Sequence, residues 1–558
     1  MGELLTGAQI LCRTLVDAGV EVMFGYPGGA IMPFYDALHG QRELRHILVR
    51  HEQAAAHAAD GYARAGNRLG VCVATSGPGA TNLVTGLAAA HMDGSPVLAI
   101  TGQVGRPMLG RDAFQETDVV GVTLPVTKHN VLVRDVEELA DDVREAMAIA
   151  LHGRPGPVLV DVPKDVQNQK AEYKAPGIRG QGRGAPADPG PETWQLERVA
   201  DLIAAAQRPL LMIGRGVILS GAYAEVRALA ERTGMPVITT LLGISAFPQS
   251  HSLHLGMPGM HGEVHVNKAI QAADLIVGIG LRFDDRVTGN TATFAPRAKI
   301  VHIDIDPPAL GRCVPVAVGI AGDARAVVRQ LLAVVQARDC LRWRQEIAAL
   351  VRHREESFAG GLSPEAILSA LGDVTGGRCT VVSDVGQHQM WVAQRYPFQR
   401  PNTHITSGGL GAMGFAVPAA MGVHLARPDE PVWAISGDGG FQMNMAEIAT
   451  MVQEGLAVKL AIFNNGYLGM VRQWQQFFHG GRYSSTPIWS PDYVKLADAY
   501  GIPGFRVTRA AEVGAALREA NDTPGPALVE LVIEEEANVF PMIVPGGSLS
   551  EPLEAAPA

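Results

Sequence analysis

Short apolar runs alternate along the chain with longer stretches whose apolar residues return every three or four positions. Over residues 1–168 the runs are "VEVMFG", "RLGVCVAT", "SPVLAIT" and "GPVLVDV". Runs of this length without polar alternation predict strands buried on both faces. Helical stretches between them predict a parallel sheet covered by helices. The pattern repeats over 190–340, from "RPLLMIGRGVI" through "ADLIVGIGLRFDD" to "AKIVHIDIDP". It repeats again over 363–545, with "CTVVSDVG", "PVWAISGDG", "AVKLAIFNN" and "PALVELVIE". The expected class is α/β, with three consecutive doubly wound parallel-sheet domains. Residues 170–192, rich in Gly and Pro, read as a linker. Residues 340–362 read as a charged helical connection, and 546–558 as a polar, mobile tail. No short-period repeat is visible.

Composition narrows the function classes. The chain has 558 residues, 47% hydrophobic and 18% charged, so large cores are expected and disorder is not. A net charge of −10 argues against a nucleic-acid partner. No apolar run is long enough to span a membrane. The N-terminus lacks a basic region followed by an apolar one, so no secretory signal is expected. "MGELLT" fits a loose myristoylation pattern, but Thr6 and Gln9 also fit a capping box opening a helix at Gly7. Five scattered cysteines without a CxxC pair suit a reducing, cytoplasmic setting.

One charge stands out against the apolar pattern. In "ISGDGGF", residues 435–441, Asp438 is the only ionisable group between an apolar run and a helical stretch. Burying it costs several kcal/mol, at about 1–3 or more per unpaired group, unless it is paired or binds a metal. A helical stretch then leads to "AVKLAIF", which ends in Asn464-Asn465. Adjacent parallel strands place their C-terminal ends side by side, where ligands bind. Asp438, Asn465 and the loop carbonyl of Tyr467 are hard oxygen donors of the kind Mg²⁺ takes alongside phosphates and water. Gly437, Gly439 and Gly440 let the backbone approach a diphosphate. A plain turn with a capping Asp and an unrelated Asn pair is the alternative.

The "GDG…NN" arrangement, with Asn465 27 positions after Asp438, resembles the signature of thiamin diphosphate (ThDP) enzymes. "GGLGAMG", residues 408–414, spells GxGxxG but follows a polar loop and lacks the acid a dinucleotide motif needs. In ThDP enzymes this loop faces the aminopyrimidine ring. The resemblance therefore gives ring contacts to Gly411 and Met413, although Met413 also suits ordinary core packing. "RHEQAAAHAADGYARA" matches the family segment bearing the acid that protonates the ring, which is Glu52 here. Its position in a first helical turn is favourable for any acid. In such enzymes the two half-sites come from different subunits, so a homodimer or tetramer is implied.

Longer motifs sharpen the resemblance. "ATSGPGATNL", "RDAFQETD", "LGMPGMHG", "RFDDRVTG", "DVGQHQMW" and "GMVRQWQQFF" are similar to those of the acetohydroxyacid synthase (acetolactate synthase) family. That family decarboxylates pyruvate and joins the two-carbon unit to pyruvate or 2-ketobutyrate. The resemblance assigns Arg286 to the acceptor carboxylate, Trp474 to its side chain, and Phe114 and Gln115 to the reaction centre. Met260 would line the acceptor pocket. The residues flanking Trp474 (Arg472, Gln473 and Gln475) suggest a site rim. The family also binds a non-redox FAD in its middle domain. Gly214, Gly216, Met260, His261 and Asp304 lie in the matching segments, Asp323 lies where a loop follows a strand, and a small regulatory subunit is compatible with the resemblance. A pyruvate-oxidase-type enzyme using ThDP and redox-active FAD is the alternative. "AFQE", Arg286 and Trp474 argue against it.

Overall fold

The computed structural model describes residues 3–175, 190–351 and 362–556. Three six-stranded parallel sheets carry the architecture, one in each expected block. The first runs Arg45–Leu48, Val22–Gly25, Gly70–Ala74, Val97–Gln103, Val158–Pro163, His129–Leu132 across its width. Ranked by chain order, that is 2-1-3-4-6-5. The third sheet has the same order: His404–Thr406, Thr380–Ser383, Val432–Gly437, Val458–Asn464, Ala527–Val532, Gly504–Val507. The outer domains therefore share one topology without a visible sequence repeat. Burial constrains only which positions are apolar, so the same topology tolerates different wording.

The middle sheet differs. Its order is 3-2-1-4-5-6, from His254–Gly256 at one edge to Val318–Ala321 at the other. This is the order of doubly wound dinucleotide-binding folds, which bind ligands where the strand order reverses. Here that point lies beyond Pro209–Ile213 and Leu275–Ile279, at Gly214–Gly216 and Gly280–Phe283.

The first and third domains meet along two helices of small residues, Glu52–Gly66 and Ala416–Ala426. A Cβ on Gly61 would lie 2.1 Å from the Ala419 carbonyl oxygen, and one on Gly422 would lie 1.9 Å from that of Ala58. Only small residues permit this approach, since helix separation is set by the side chains at the crossing.

Several expectations shift. The proposed linker begins as a strand: Lys170–Tyr173 pairs antiparallel with Glu3–Thr6. Ala171 and Tyr173 are buried while Lys170 and Glu172 face out, a two-residue period too short to stand out beside Gly and Pro. Residues 176–189 of that linker, and 352–361 of the second connection, lie outside the described residues. The connection's helix, Leu341–Ala348, buries Trp343 and Ile347 in the middle core. The tail is packed as well. Leu549 is buried in the middle domain, and Pro552–Leu553 pairs with Met542–Ile543. Thr6 and Gln9 form the expected capping box of Gly7–Asp17. All five cysteines are unpaired.

Candidate functional site

Asp438 is the first residue past the strand Val432–Gly437, where the helix Asp438–Asn444 begins directly, with no turn between them. The neighbouring strand Val458–Asn464 pairs with it in parallel through Gly437↔Phe463, a register that sets Asn464 level with Asp438 and Asn465 one residue beyond. Asp438 is 1% exposed. Its two carboxylate oxygens accept the amides of Gly439 (2.9 Å) and Gly466 (2.8 Å). Burial nevertheless pushes its acid up to about 6, against the lowering effect of those amides. Asn465 Oδ1 accepts the Tyr467 amide at 3.2 Å.

These residues line a narrow cavity of about 60 Å³ with Gly437, Gly439, Gly440 and Met413. A Cβ on Gly439 would meet Leu468 at 2.5 Å, and one on Gly437 would meet the His388 ring at 3.0 Å. The His388 Nε2 atom is buried without a hydrogen-bond partner. A half-compensated carboxylate, an amide oxygen and glycine-lined walls fit a divalent cation bridging to a diphosphate. No group of three His, Cys, Asp or Glu side chains among the described residues could hold a metal alone. A cation here would depend on oxygens from its ligand.

A larger cavity of about 640 Å³ opens beside the first, bordered by all three domains. Met413 lines both. Arg286, Met260, Trp474 and Gly411 all line the larger cavity. The Arg286 guanidinium lies 3.5 Å from Met260 Sδ and 3.7 Å from the exposed Asp285 carboxylate. Asp284 pairs instead with Arg282. The Arg286 carbonyl accepts the Met260 amide, tying the two residues together. Arg472 and Gln473 do not form a rim around Trp474. Both are fully buried, holding the carbonyls of Ala537 and Val539. Their polarity is spent on anchoring the helix Gly469–Phe478, which carries Trp474.

The same cavity is lined by Arg154 of the first domain and by Arg215, Arg282, Gly216, Asp304 and His261 of the middle domain. Arg215 donates to Ser95 at 3.0 Å, while its Nε is buried without a partner. Burial pushes Asp304 up to about 6 and His261 down to about 4. Cations, an unpaired guanidinium nitrogen and apolar walls at the reversal point of the sheet fit a dinucleotide's diphosphate. Gly214 lies behind this wall, where a Cβ would be 2.4 Å from the Gly280 carbonyl. Asp323 caps the helix Ala324–Val334 and is not among the lining residues.

Glu52, Phe114 and Gln115 form a separate group in the first domain. Glu52 is buried, and its Oε2 accepts Asn82 Nδ2 at 2.9 Å. Cβ atoms on Gly79 and Gly77 would lie 3.2 Å from Glu52 Oε1 and 2.9 Å from the Gln115 carbonyl oxygen. Phe114 is 89% exposed. None of the three lines either cavity of its own chain.

Sequence reasoning missed the supports. Asp384, buried just past Thr380–Ser383, accepts the Gly414 amide and Ser436 Oγ (2.9 and 3.0 Å), locking the Met413 loop to the strand that leads into Asp438. Its position after an apolar run, like that of Asp438, was the available signal. The polar-looking stretch before "GGLGAMG" hid an edge strand, His404–Thr406. Asp93 accepts the Gly408 and Gly409 amides and an Arg64 nitrogen, and Arg64 also pairs with Asp60 at 2.6 Å. This buried network joins the first domain to the 408–414 loop. Removing one member would strand a charge, at a cost of about 3–5 kcal/mol.

Residues 5–122, 196–331 and 384–531 match the N-terminal TPP binding, central, and C-terminal TPP binding domains of thiamine pyrophosphate enzymes. The acetolactate synthase large subunit of Corynebacterium glutamicum is 47% identical, over 98% of this chain and 90% of that protein. The probable acetolactate synthase large subunit of Methanocaldococcus jannaschii is 44% identical, over 99% and 96%. The acetolactate synthase isozyme 3 large subunit of Escherichia coli is 42% identical, over 98% of both. With its three domains, its paired cavities and this likeness end to end, the chain belongs to the acetolactate synthase large-subunit family of thiamine pyrophosphate enzymes.

Proposed function

We propose that the chain is a catalytic acetolactate synthase. It decarboxylates pyruvate and transfers the hydroxyethyl unit to a second pyruvate or to 2-ketobutyrate, giving 2-acetolactate or 2-aceto-2-hydroxybutyrate for branched-chain amino-acid synthesis. The observation that carries this reading is the convergence of Arg286, Met260 and Trp474 on a cavity whose wall, Met413, also borders Asp438. ThDP, when bound, supplies the nucleophilic carbon. Asp438, Asn465 and the Tyr467 carbonyl would hold Mg²⁺ against its diphosphate. Met413 and Gly411 would orient the ring. Glu52, with Oε2 engaged by Asn82, would present Oε1 to a ring nitrogen as proton donor. Arg286 would take the acceptor carboxylate, and Trp474 would wall its alkyl group.

The separation of Glu52, Phe114 and Gln115 from both cavities of their own chain supports a homodimer that brings one protomer's acid to its partner's cofactor. An almost fully exposed Phe114 is the kind of side chain such an interface would cover. FAD would lie in the middle-domain cavity as a non-redox element. A small regulatory subunit is a further partner. The working place is the cytoplasm, which five unpaired cysteines support. Among the described residues, no helix is long and apolar enough to cross a membrane.

The test is one assay. Pyruvate with and without 2-ketobutyrate, plus ThDP, Mg²⁺ and FAD, should yield both acetohydroxy acids while the flavin stays oxidised. Flavin bleaching in step with pyruvate loss, without acetolactate, would overturn the proposal in favour of an oxidase.

A further inference from the structure

We propose that Glu447 is the positioning residue for Glu52, holding from the third domain the backbone from which Glu52 projects. The proposal rests on the reading of Glu52 as proton donor. Glu447 lies in the 3-10 turn Met445–Glu447, on the same segment that starts at Asp438. It is 1% exposed. Its Oε1 accepts two successive first-domain amides, Arg50 at 2.8 Å and His51 at 3.2 Å. Its Oε2 accepts Thr450 Oγ1 at 2.7 Å. Glu52 follows immediately and opens the helix Glu52–Gly66, capped by His51.

The surrounding contacts repeat the same link. Thr450 Oγ1 also reaches the Leu48 carbonyl at 3.2 Å, Arg50 Nη2 donates to Gln453 at 2.9 Å, and Arg45 pairs with Glu454 at 3.1 Å. The helix Ile448–Glu454 thus lies along the whole connection from the strand Arg45–Leu48 to Glu52. Glu447 alone among these side chains takes backbone donors from the two residues before the acid. Two successive amides sharing one oxygen of the buried Glu447 carboxylate fix the direction in which the helix leaves, and hence the position of the Glu52 carboxyl. An error of about 1 Å in such a group costs about 10²-fold in rate.

The experiment uses the full-length protein and the variants Glu447→Ala, Glu447→Gln, Glu52→Gln and the Ala/Gln double variant. Hydrogen exchange, followed without added cofactor, should rise about tenfold at the Arg50 and His51 amides in Glu447→Ala and stay protected in Glu447→Gln, whose amide oxygen can still accept both. In the loaded enzyme, Glu447→Ala should lower kcat about 10–100-fold with pyruvate KM and ThDP affinity within about twofold. Glu447→Gln should recover most of the rate. In the Glu52→Gln background the Ala substitution should have no further effect, because Glu447 acts through Glu52. Unchanged exchange at residues 50–51, or an equal fractional rate loss with and without Glu52, overturns the proposal. Wild-type turnover in Glu52→Gln overturns the proton-donor reading, and the exchange arm still reports separately whether Glu447 holds the turn. Should Glu447→Ala fail to fold, Glu447→Asp, one methylene shorter, takes its place in every arm.

Discussion

Replacing Asp438 by asparagine should stabilise the cofactor-free protein while removing its response to cofactor. Burial raises the Asp438 acid from 3.8 to about 6. A group whose folded-state pKa is raised favours folding fully below the unfolded value, and loses that contribution as pH rises through the folded one. The window here runs from about pH 4 to about pH 6. At 1.36 kcal/mol per unit, a shift of about two units makes the ionised carboxylate cost the folded state about 3 kcal/mol at neutral pH. Asparagine carries no charge, but it can accept only one of the Gly439 and Gly466 amides, which costs about 1–2 kcal/mol. The net gain for Asp438→Asn is about 1–2 kcal/mol at pH 8, vanishing or reversing at pH 4. Saturating Mg²⁺ and ThDP, at about 100 times Kd, should stabilise the wild type by about 2.7 kcal/mol and the variant by almost nothing. Denaturant midpoints at both pH values, with and without cofactor, test this directly. A variant that is less stable than wild type at pH 8 without cofactor, or that gains the same stabilisation with it, would refute the reasoning.

Other substitutions probe the remaining parts. Glu52→Gln should keep ThDP affinity and lose most turnover, measured by calorimetry and acetolactate production; near wild-type rates would sink the assignment. Trp474→Leu should collapse discrimination between 2-ketobutyrate and pyruvate, where a single methylene is worth about 10–200-fold; an unchanged product ratio in a competition assay argues against it. Gly422→Ala puts a Cβ 1.9 Å from the Ala58 carbonyl oxygen, so the crossing helices must part, lowering stability by about 1–3 kcal/mol or more. Denaturation that matches the wild type would mean the crossing can relax.

Two of the anchoring charges show why legibility differed along the chain. Asp438 was readable because an acid at the end of an apolar strand is costly, and Asn465 follows it at a recognisable motif spacing. Asp384 sits in the same kind of position, yet its partners, Gly414 and Ser436, come from elsewhere in the domain. Arg64 sits in the helix Glu52–Gly66 with no local sign of its role. It is buried because Asp93 and Asp60 meet it there. Leu549 looked like part of a polar tail until the middle core was seen to receive it.

The sequence by itself determined the α/β class, three successive domains and the family, and singled out Asp438 with Asn465, because apolar runs are local and motif spacing survives without coordinates. Only the tertiary structure decided that the outer sheets share one strand order while the middle sheet takes the dinucleotide-binding one. It alone showed that Arg286, Met260 and Trp474 border a common cavity, and that Glu52 stands apart from both cavities of its own chain while its backbone is held by Glu447. Strand order and contacts across domains depend on which buried faces fit each other, a property of packing between distant segments that no short stretch of residues encodes.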